Sequence, residues 1–196
     1  QDVYRFDERR ILAGRVESGR LKVGDRLVFV PSYKTSTVKT IERWNGSARD
    51  FAEAGESIGI TLAEQVFVER GAVGALESAP PYALTSFKAR VFWLGRQPFA
   101  SGRNYRLKLA TQEAACQIEK IERVIDAATL QPIERPGAPC VHRHEAAELT
   151  LRTKKPVAFD TITEVAATGR FVIVDGFDLA GGGVILADSY PRRTAD

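Results

Sequence analysis

Polar and apolar residues alternate with a period of two through most of this chain, and this period limits the possible folds more than any other feature. Successive side chains of a strand point to opposite faces, so the alternation predicts strands with one buried face. Turn-forming residues separate the runs at intervals of roughly 8–12 residues, which is typical of a β-sandwich or a closed barrel. We therefore predict an all-β fold. The predicted strands are residues 13–16, 26–30, 37–41, 57–62, 87–94, 105–110, 117–124, 148–152 and 171–174.

Glycine and proline residues set the limits of these elements. The glycine run at 181–183 is interpreted as a turn, and residues 50–54 are the only place where a helical turn is expected. The two prolines at 80–81 remove two amide donors, so a central strand cannot pass through them. We therefore predict two consecutive small β-barrels, residues 1–81 and 82–196.

The overall composition is that of an ordinary globular protein, with 44% hydrophobic and 27% charged residues. No apolar run approaches the roughly 18–20 residues that span a bilayer, so we expect no membrane contact and a cytoplasmic location. The net charge is only +3, and all of this excess lies in residues 85–196. Nucleic-acid binding normally requires a clustered basic stripe, so we expect no nucleic-acid partner.

Cys116 and Cys140 are the two cysteines, and two free thiols are expected rather than a disulfide in a cytosolic chain. Cys140, His142 and His144 alternate as C-x-H-x-H, and on a strand this spacing would direct all three side chains to one face. A structural zinc site normally takes four protein ligands, and only Glu145 and distant Cys116 could add a fourth. We therefore predict no metal, with Cys140, His142 and His144 as weak candidates, and interpret these three as exposed strand or loop residues.

The sequence contains no constellation that could carry catalysis or bind a cofactor. A phosphate-binding loop needs the pattern G-x-x-x-x-G-K-[ST], and the chain has no Gly-Lys dipeptide. Residues 178–181 read D-x-x-G, like a magnesium and γ-phosphate switch motif, but we predict a hairpin turn there. Glu145 and Glu148 have no nucleophile beside them, so we expect no catalytic and no cofactor-binding residue in this chain alone.

Three motifs in the first half resemble the barrel that follows the G domain of translational GTPases. Residues 13–25 read A-G-R-V-E-S-G-R-L-K-V-G-D, similar to G-R-V-x-x-G-x-[IL]-K-x-G-D. Residues 54–59 read A-G-E-S-I-G and residues 68–73 read V-E-R-G-A-V, both similar to motifs of elongation factor Tu. The resemblance implies an elongation factor Tu domain 2-like barrel for 1–81 and a domain 3-like, C-terminal barrel for 82–196.

The second half resembles one branch of that superfamily, the large GTPase subunit of bacterial sulfate adenylyltransferase. The motifs are V-F-W-L at 91–94, G-R-N-Y at 102–105, K-L-A-T at 108–111, P-V-A-F-D at 156–160 and G-R-F-V-I-V-D at 169–175. Two positions depart from the family pattern. His144 stands where the family usually has asparagine, and Thr161 stands where proline or alanine is commoner.

The resemblance implies a coupling role and not a reaction for this chain. In that family a G domain binds GTP and Mg²⁺, and its GTP hydrolysis is coupled to adenylyl transfer from ATP to sulfate by a catalytic small subunit. The barrels would contact the G domain and the small subunit. The chain begins at Gln1 and contains no methionine, so we interpret it as part of a longer protein whose G domain lies elsewhere. The glycine run at 181–183 fits a variant with a fused adenylylsulfate kinase domain.

Two other functions remain open from the sequence. The chain could supply domains 2 and 3 of an elongation-factor-type GTPase that binds aminoacyl-tRNA, because related barrels hold single-stranded acceptor ends. It could also be an interaction module with no GTPase attached. The near-neutral first half and the sulfate-branch motifs of the second half favour the sulfate adenylyltransferase interpretation.

Overall fold

The computed structural model describes residues 1–6, 9–43, 49–137, 139–187 and 190. Its named strands all pair antiparallel, which confirms the predicted all-β fold. The described residues separate into two compact units, with the boundary in the chain between Pro81 and Tyr82. Residues 191–196 of the predicted second domain lie outside the described part. Nowhere in the described residues is there a helix with the length and apolar character needed to cross a membrane.

The first unit contains eight strands. They are β1 Asp2–Phe6, β2 Arg9–Arg15, β3 Arg20–Lys22, β4 Arg26–Val30, β5 Lys34–Glu42, β6 Phe51–Glu53, β7 Ser57–Leu62 and β8 Val73–Leu76. Six of them form one sheet in the order β1-β2-β7-β5-β4-β8, and β3 pairs with β6 as a two-stranded ribbon.

The sheet and the ribbon of the first unit share one core. Ala52 of β6 is fully buried in that core, between Phe51 and Glu53, which are both exposed. The helical turn predicted for 50–54 is therefore wrong, because only an extended chain can pair Ala52 with Leu21 of β3 and direct it inward. The buried core residues are Leu12, Leu27, Phe29, Val38, Ile41, Ala52, Ile58 and Ile60.

The second unit also contains eight strands. They are β9 Tyr82–Trp93, β10 Phe99–Ala100, β11 Tyr105–Leu109, β12 Gln112–Asp126, β13 Cys140–Val141, β14 Glu145–Phe159, β15 Arg170–Asp175 and β16 Asp178–Ile185. Six of them close into a barrel in the order β11-β12-β14-β9-β16-β15, with β15 pairing back onto β11. The short strands β10 and β13 pair with each other.

Aromatic side chains fill much of the core of this barrel. Trp93 of β9 stacks on Phe99 of β10 with ring centroids 4.5 Å apart, and Tyr105 of β11 meets Phe99 edge-on at 4.6 Å. The indole Nε1 of Trp93 donates to the carbonyl of Gln97 at 2.7 Å, so its one polar atom is satisfied. The β10–β13 ribbon thus belongs to the barrel core, to which it also contributes Val141.

The glycine run at 181–183 lies inside strand β16, so its interpretation as a turn is wrong. A Cβ on Gly181 would lie 2.8 Å from the carbonyl oxygen of Phe92 and 2.8 Å from Cε3 of Trp93. Such distances are shorter than van der Waals contact, so only a residue without a side chain fits there. The glycines therefore mark where the backbone of β16 approaches large aromatic rings, not where the chain reverses.

Candidate interaction surface

The three weak metal candidates lie in β13 and the loop after it. β13 ends at Val141, and His144 lies in a turn with a φ of 68°, where its amide donates to the carbonyl of Trp93 at 2.8 Å. The single strand face that the C-x-H-x-H spacing would require is therefore not formed. Cys140 and His142 do meet, with Sγ 3.3 Å from Nε2. Within the described ranges, no three His, Cys, Asp or Glu side chains are grouped to hold a metal ion; the absence of a metal stays a prediction.

Glu145 and Cys116, the other ligands considered from the sequence, both have structural roles. Glu145 is buried and accepts a hydrogen bond from Nη1 of Arg135 at 2.9 Å and one from the amide of His142 at 2.8 Å. The hydrogen bonds from Arg135 and, to a smaller extent, the hydrogen bond from the amide of His142 hold the pKa of Glu145 below its ordinary value. Cys116 lies in the barrel core, where burial raises its pKa to about 12.

Glu145 and Glu148 do not form a pair of catalytic carboxylates. They lie three residues apart on β14, so their side chains point to opposite faces of the strand. Glu148 lies on the outer surface and accepts hydrogen bonds from Arg123 Nε at 2.8 Å and Arg90 Nη2 at 2.6 Å. The hydrogen bonds from Arg123 and, to a smaller extent, those from Arg90 lower the pKa of Glu148. This arrangement is an ion-pair network across β12, β14 and β9.

The D-x-x-G motif at 178–181 forms the first part of strand β16 and not the hairpin turn predicted for it. The turn is formed by Gly176, with a φ of 63°, and Phe177. Gly181 pairs with Ile173 of β15 on one side and with Trp93 of β9 on the other. Because this backbone is committed to the sheet, it cannot wrap around a phosphate group.

An open cleft of about 260 Å³ lies in the first unit, between β2, β5 and the segment after β7. Arg10 and Lys39 line it together with Glu42 and Glu64, so both signs of charge are present. The Glu64 carboxylate is bound by the buried Ser36 hydroxyl at 2.6 Å, and this bond is the main cause of its lowered pKa. The Glu64 carboxylate therefore anchors the segment that follows β7.

Four exposed apolar side chains lie on the outer face of the barrel, where β9 meets β16. Phe177, in the turn of the β15–β16 hairpin, is 99% exposed, and Leu179 is 65% exposed. Phe92 and Leu94, at the end of β9, are also exposed. Contiguous exposed apolar side chains on a soluble protein typically mark an interaction site. We call Phe92, Leu94, Phe177 and Leu179 the β9–β16 surface.

Strand pairing brings the members of the β9–β16 surface together. Phe92 lies directly opposite Gly182, which has no side chain to cover it. The amide of Leu94 donates to the carbonyl of Ala180 at 2.8 Å, which places Leu94 beside the residue that follows Leu179. The surface therefore follows the pairing of β9 with β16 toward the β15–β16 hairpin.

Two arginines of the second unit hold the β15–β16 hairpin in place. Arg106 of β11 donates from Nη2 to the carbonyl of Gly176 at 2.6 Å. Arg103 forms an ion pair with Asp175 at 3.1 Å. Both bonds fix the backbone next to Phe177, so its ring is presented on a braced turn. Such bracing lowers the entropy that a partner must remove on binding.

Most of the barrel matches a known family. Residues 86–186 match a family model described as the GTP-eEF1A C-terminal domain-like domain. The match covers more than half of the chain and runs from within β9 to the end of β16. This chain belongs to the GTP-eEF1A C-terminal domain-like family. The resemblance to translational GTPases predicted from the sequence motifs is thereby confirmed.

Relatives of this family member match it through both units. Sulfate adenylyltransferase subunit 1 of Aeromonas salmonicida is 31% identical over 188 residues, which is 95% of this chain and 39% of the relative. The bifunctional enzyme NodQ of Rhizobium sp. (strain BR816) is 31% identical over 184 residues, which is 94% of this chain and 28% of the relative. The chain thus spans well under half of the length of these relatives.

The family's fold is also found in a solved structure. Sup35 in complex with GDP matches this chain with a TM-score of 0.83, covering 94% of this chain and 45% of that chain. The sequence identity is 20%, so this likeness concerns the fold alone. It extends through both units, which agrees with the predicted elongation-factor-like pair of β-domains.

The β9–β16 surface was not identified from the sequence. Phe92 and Leu94 have the same alternation as the buried residues of β9, and alternation does not tell which face of a strand is covered. Phe177 did carry a signal, because it stands between Gly176 and Asp178. A large aromatic residue in so short a turn has nowhere to be buried.

Proposed function

We propose that this chain forms the two β-domains of a GTP-regulated sulfate adenylyltransferase subunit 1. Its role is to couple GTP hydrolysis in a G domain outside this chain to adenylylsulfate synthesis by a catalytic small subunit, in the cytoplasm. GTP and Mg²⁺ belong to that G domain, since this chain has no phosphate-binding loop of its own. The β-domains contribute contacts and not chemistry.

The observation that carries this proposal is the similarity to sulfate adenylyltransferase subunit 1 along almost the whole chain. The 31% identity with the Aeromonas salmonicida protein extends over 95% of the chain, well beyond the barrel that the wider family shares. NodQ, called a bifunctional enzyme, is equally similar, which supports the idea of a further fused domain in some relatives.

The structure supports a coupling role through the β9–β16 surface. An exposed apolar surface on a closed barrel suits a protein partner, and the hairpin that carries Phe177 is braced by Arg103 and Arg106. A rigid barrel with a docking face can transmit a nucleotide-dependent change as a rigid-body movement. We assign this face to the catalytic small subunit.

The competing function is that of an elongation-factor-type GTPase that binds aminoacyl-tRNA. The fold match with Sup35 favours it to the extent that fold alone can. A net charge of +3 argues against it, because backbone phosphates are normally met by clustered cations. Tight tRNA binding that weakens steeply with salt would reverse our order of preference.

The deciding experiment uses the full-length natural protein, co-expressed with a sulfate adenylyltransferase small subunit from the same organism. Sulfate-dependent formation of adenylylsulfate from ATP is followed with and without GTP. Stimulation by GTP supports the proposal. GTP hydrolysis without any adenylylsulfate formation contradicts it, and tRNA binding then becomes the next assay.

A further inference from the structure

The two cysteines of the chain lie in opposite chemical environments. Cys116 is buried in the barrel core on β12, opposite Tyr105, and burial raises its pKa to about 12. A thiol of that kind is inert, because the thiolate is the reactive form. Cys140 is only partly buried, at the start of β13, and meets a histidine. Cys116 thus serves as a buried reference against which Cys140 can be compared.

Cys140 and His142 have the geometry of a nucleophile and its base. Their Sγ and Nε2 atoms lie 3.3 Å apart, within hydrogen-bond reach for sulfur. In the tautomer protonated at Nδ1, Nε2 accepts the hydrogen bond of the thiol. His142 is exposed, so solvent and small reagents reach the pair from that side.

The backbone beside this pair is fixed by a partly buried ion pair. The amide of His142 donates to Glu145 Oε2 at 2.8 Å, and Arg135 Nη1 donates to the same carboxylate oxygen at 2.9 Å. Arg135 also interacts electrostatically with Cys140, so a cation lies near the sulfur. On the other side, Cys140 pairs with Ala100 of β10, and neither residue of that strand is titratable. Among the described residues, the titratable groups that contact or interact with the thiol are thus Arg135 and His142, and Glu145 is ion-paired with Arg135.

We propose that Cys140 is a site of reversible thiol–disulfide exchange, with His142 as the base that activates it. His142 takes the thiol proton, and the thiolate attacks one sulfur of a low-molecular-weight disulfide. The new Cys140–sulfur bond forms as the sulfur–sulfur bond of the reagent breaks, and the departing thiolate takes up the proton. The product is a mixed disulfide on Cys140 and one equivalent of free small thiol.

The test uses the 196-residue chain in a Cys116→Ser background, so that Cys140 is the single thiol. The probe is dithiobis(nitrobenzoate), an aromatic disulfide whose released thiolate absorbs visible light. Second-order rates at pH 7 are measured for this background alone and with either His142→Asn or His144→Asn added. His144 is the matched control, because it lies in the same loop and its hydrogen bond to Trp93 is made by the backbone. Asparagine also tolerates the positive φ of that position.

We expect His142→Asn to slow the exchange by about tenfold and His144→Asn to change it by less than about twofold. A Cys140→Ser variant, which retains only Cys116, is expected to react only after denaturation. Far-ultraviolet circular dichroism confirms that each variant is folded. Equal rates for the two histidine variants would overturn the proposal, because Cys140 would then be accessible without being activated. Reaction of native Cys116 at a comparable rate would overturn it as well.

Discussion

Gly183 of β16 lies against the ring of Phe171 of β15, with no room for a side chain between them. A Cβ atom on Gly183 would lie 2.6 Å from Cζ of Phe171 and 2.7 Å from the carbonyl oxygen of Arg90. The ring lies in the barrel core, and the carbonyl belongs to the neighbouring strand β9. The strand can therefore keep its place in the barrel only with glycine at this position.

The first prediction follows from this contact. Gly183→Ala is expected to lower the free energy of unfolding by about 2 kcal/mol or more, because overpacking forces the ring or the strand to shift. Gly182→Ala is the matched control, since a Cβ there meets only the carbonyl oxygen of Phe171 at 3.6 Å. Urea denaturation of the two variants measures the difference. Equal destabilisation would show that the approach of β16 to Phe171 is not tight.

The second prediction concerns the aromatic cluster of the barrel core. Trp93→Leu removes the stacking on Phe99 and leaves the carbonyl of Gln97 without its donor, so we expect a loss of about 3 kcal/mol. Phe92→Leu, one residue earlier on the outer face, is expected to cost less than about 0.5 kcal/mol. The denaturant concentrations at the unfolding midpoint are compared between the two variants. The slope of the unfolding free energy against denaturant concentration must be the same for both. Similar losses for both variants would contradict the assignment of the two strand faces.

The third prediction concerns acid stability and Glu145. Its pKa is lowered in the folded chain from the ordinary 4.5, chiefly by the hydrogen bonds from Arg135. A lowered folded pKa gives stability that is present above pH 4.5 and is lost as the pH falls through the folded pKa. Glu145→Gln is therefore expected to be less stable than the wild type at pH 6–7, with the gap closing as the pH falls below about 4.5.

The matched control for this prediction is Glu113→Gln, which removes an exposed glutamate of the same unit that pairs with Arg106 at 3.4 Å. Unfolding midpoints are measured between pH 7 and pH 3 for the wild type and both variants. A gap between the wild type and Glu145→Gln that stays constant with pH would contradict the prediction, since the ionised carboxylate would then contribute nothing.

The fourth prediction concerns the β9–β16 surface and rests on the proposed function. Leu94→Asp in the full-length natural protein is expected to weaken co-purification with the small subunit by at least about tenfold, because it places a charge within an apolar contact. Leu84→Asp is the matched control. The two leucines are 45% and 41% exposed and lie ten residues apart on or just after β9. At the usual rise of a strand this separates them by about 33 Å.

We expect Leu84→Asp to leave the assembly intact and both variants to unfold at the wild-type midpoint. Loss of the small subunit from both variants, or from neither, would exclude the β9–β16 surface as the site of contact. GTP-stimulated activity that survives the loss of assembly would argue against the coupling role itself.

Local sequence patterns were sufficient to predict the bounds of a strand where that strand has one covered face and ends at a turn. β4 and β7 have the predicted bounds, 26–30 and 57–62, because alternation and flanking turn residues agree there. β16 was missed because its glycines look like those of a turn. Their missing side chains instead let the backbone of the strand approach the rings of Trp93 and Phe171. Strands β10 and β13 were missed because two residues are too few to show a period.

The chemistry of the β13–β14 loop could be predicted only in part. The sequence placed Cys140, His142 and His144 at even spacing, but not the end of the strand at Val141. That end depends on Glu145, which is held by Arg135 from ten residues upstream. Such a long-range ion pair leaves no local periodicity in the sequence. For this reason only the folded structure shows that Cys140 contacts His142.

Each of the six barrel strands pairs with a neighbour on both sides over at least part of its length, so the barrel has no edge strand. Strand addition, which uses unpaired backbone groups and is nearly indifferent to sequence, therefore has no edge strand of this barrel to extend. Any partner of the second unit that docks on the barrel wall must instead recognise side chains. The closed sheet therefore protects the second unit, and not the open sheet of the first, from edge-to-edge aggregation, and makes the choice of partner on the barrel wall depend on a few exposed residues.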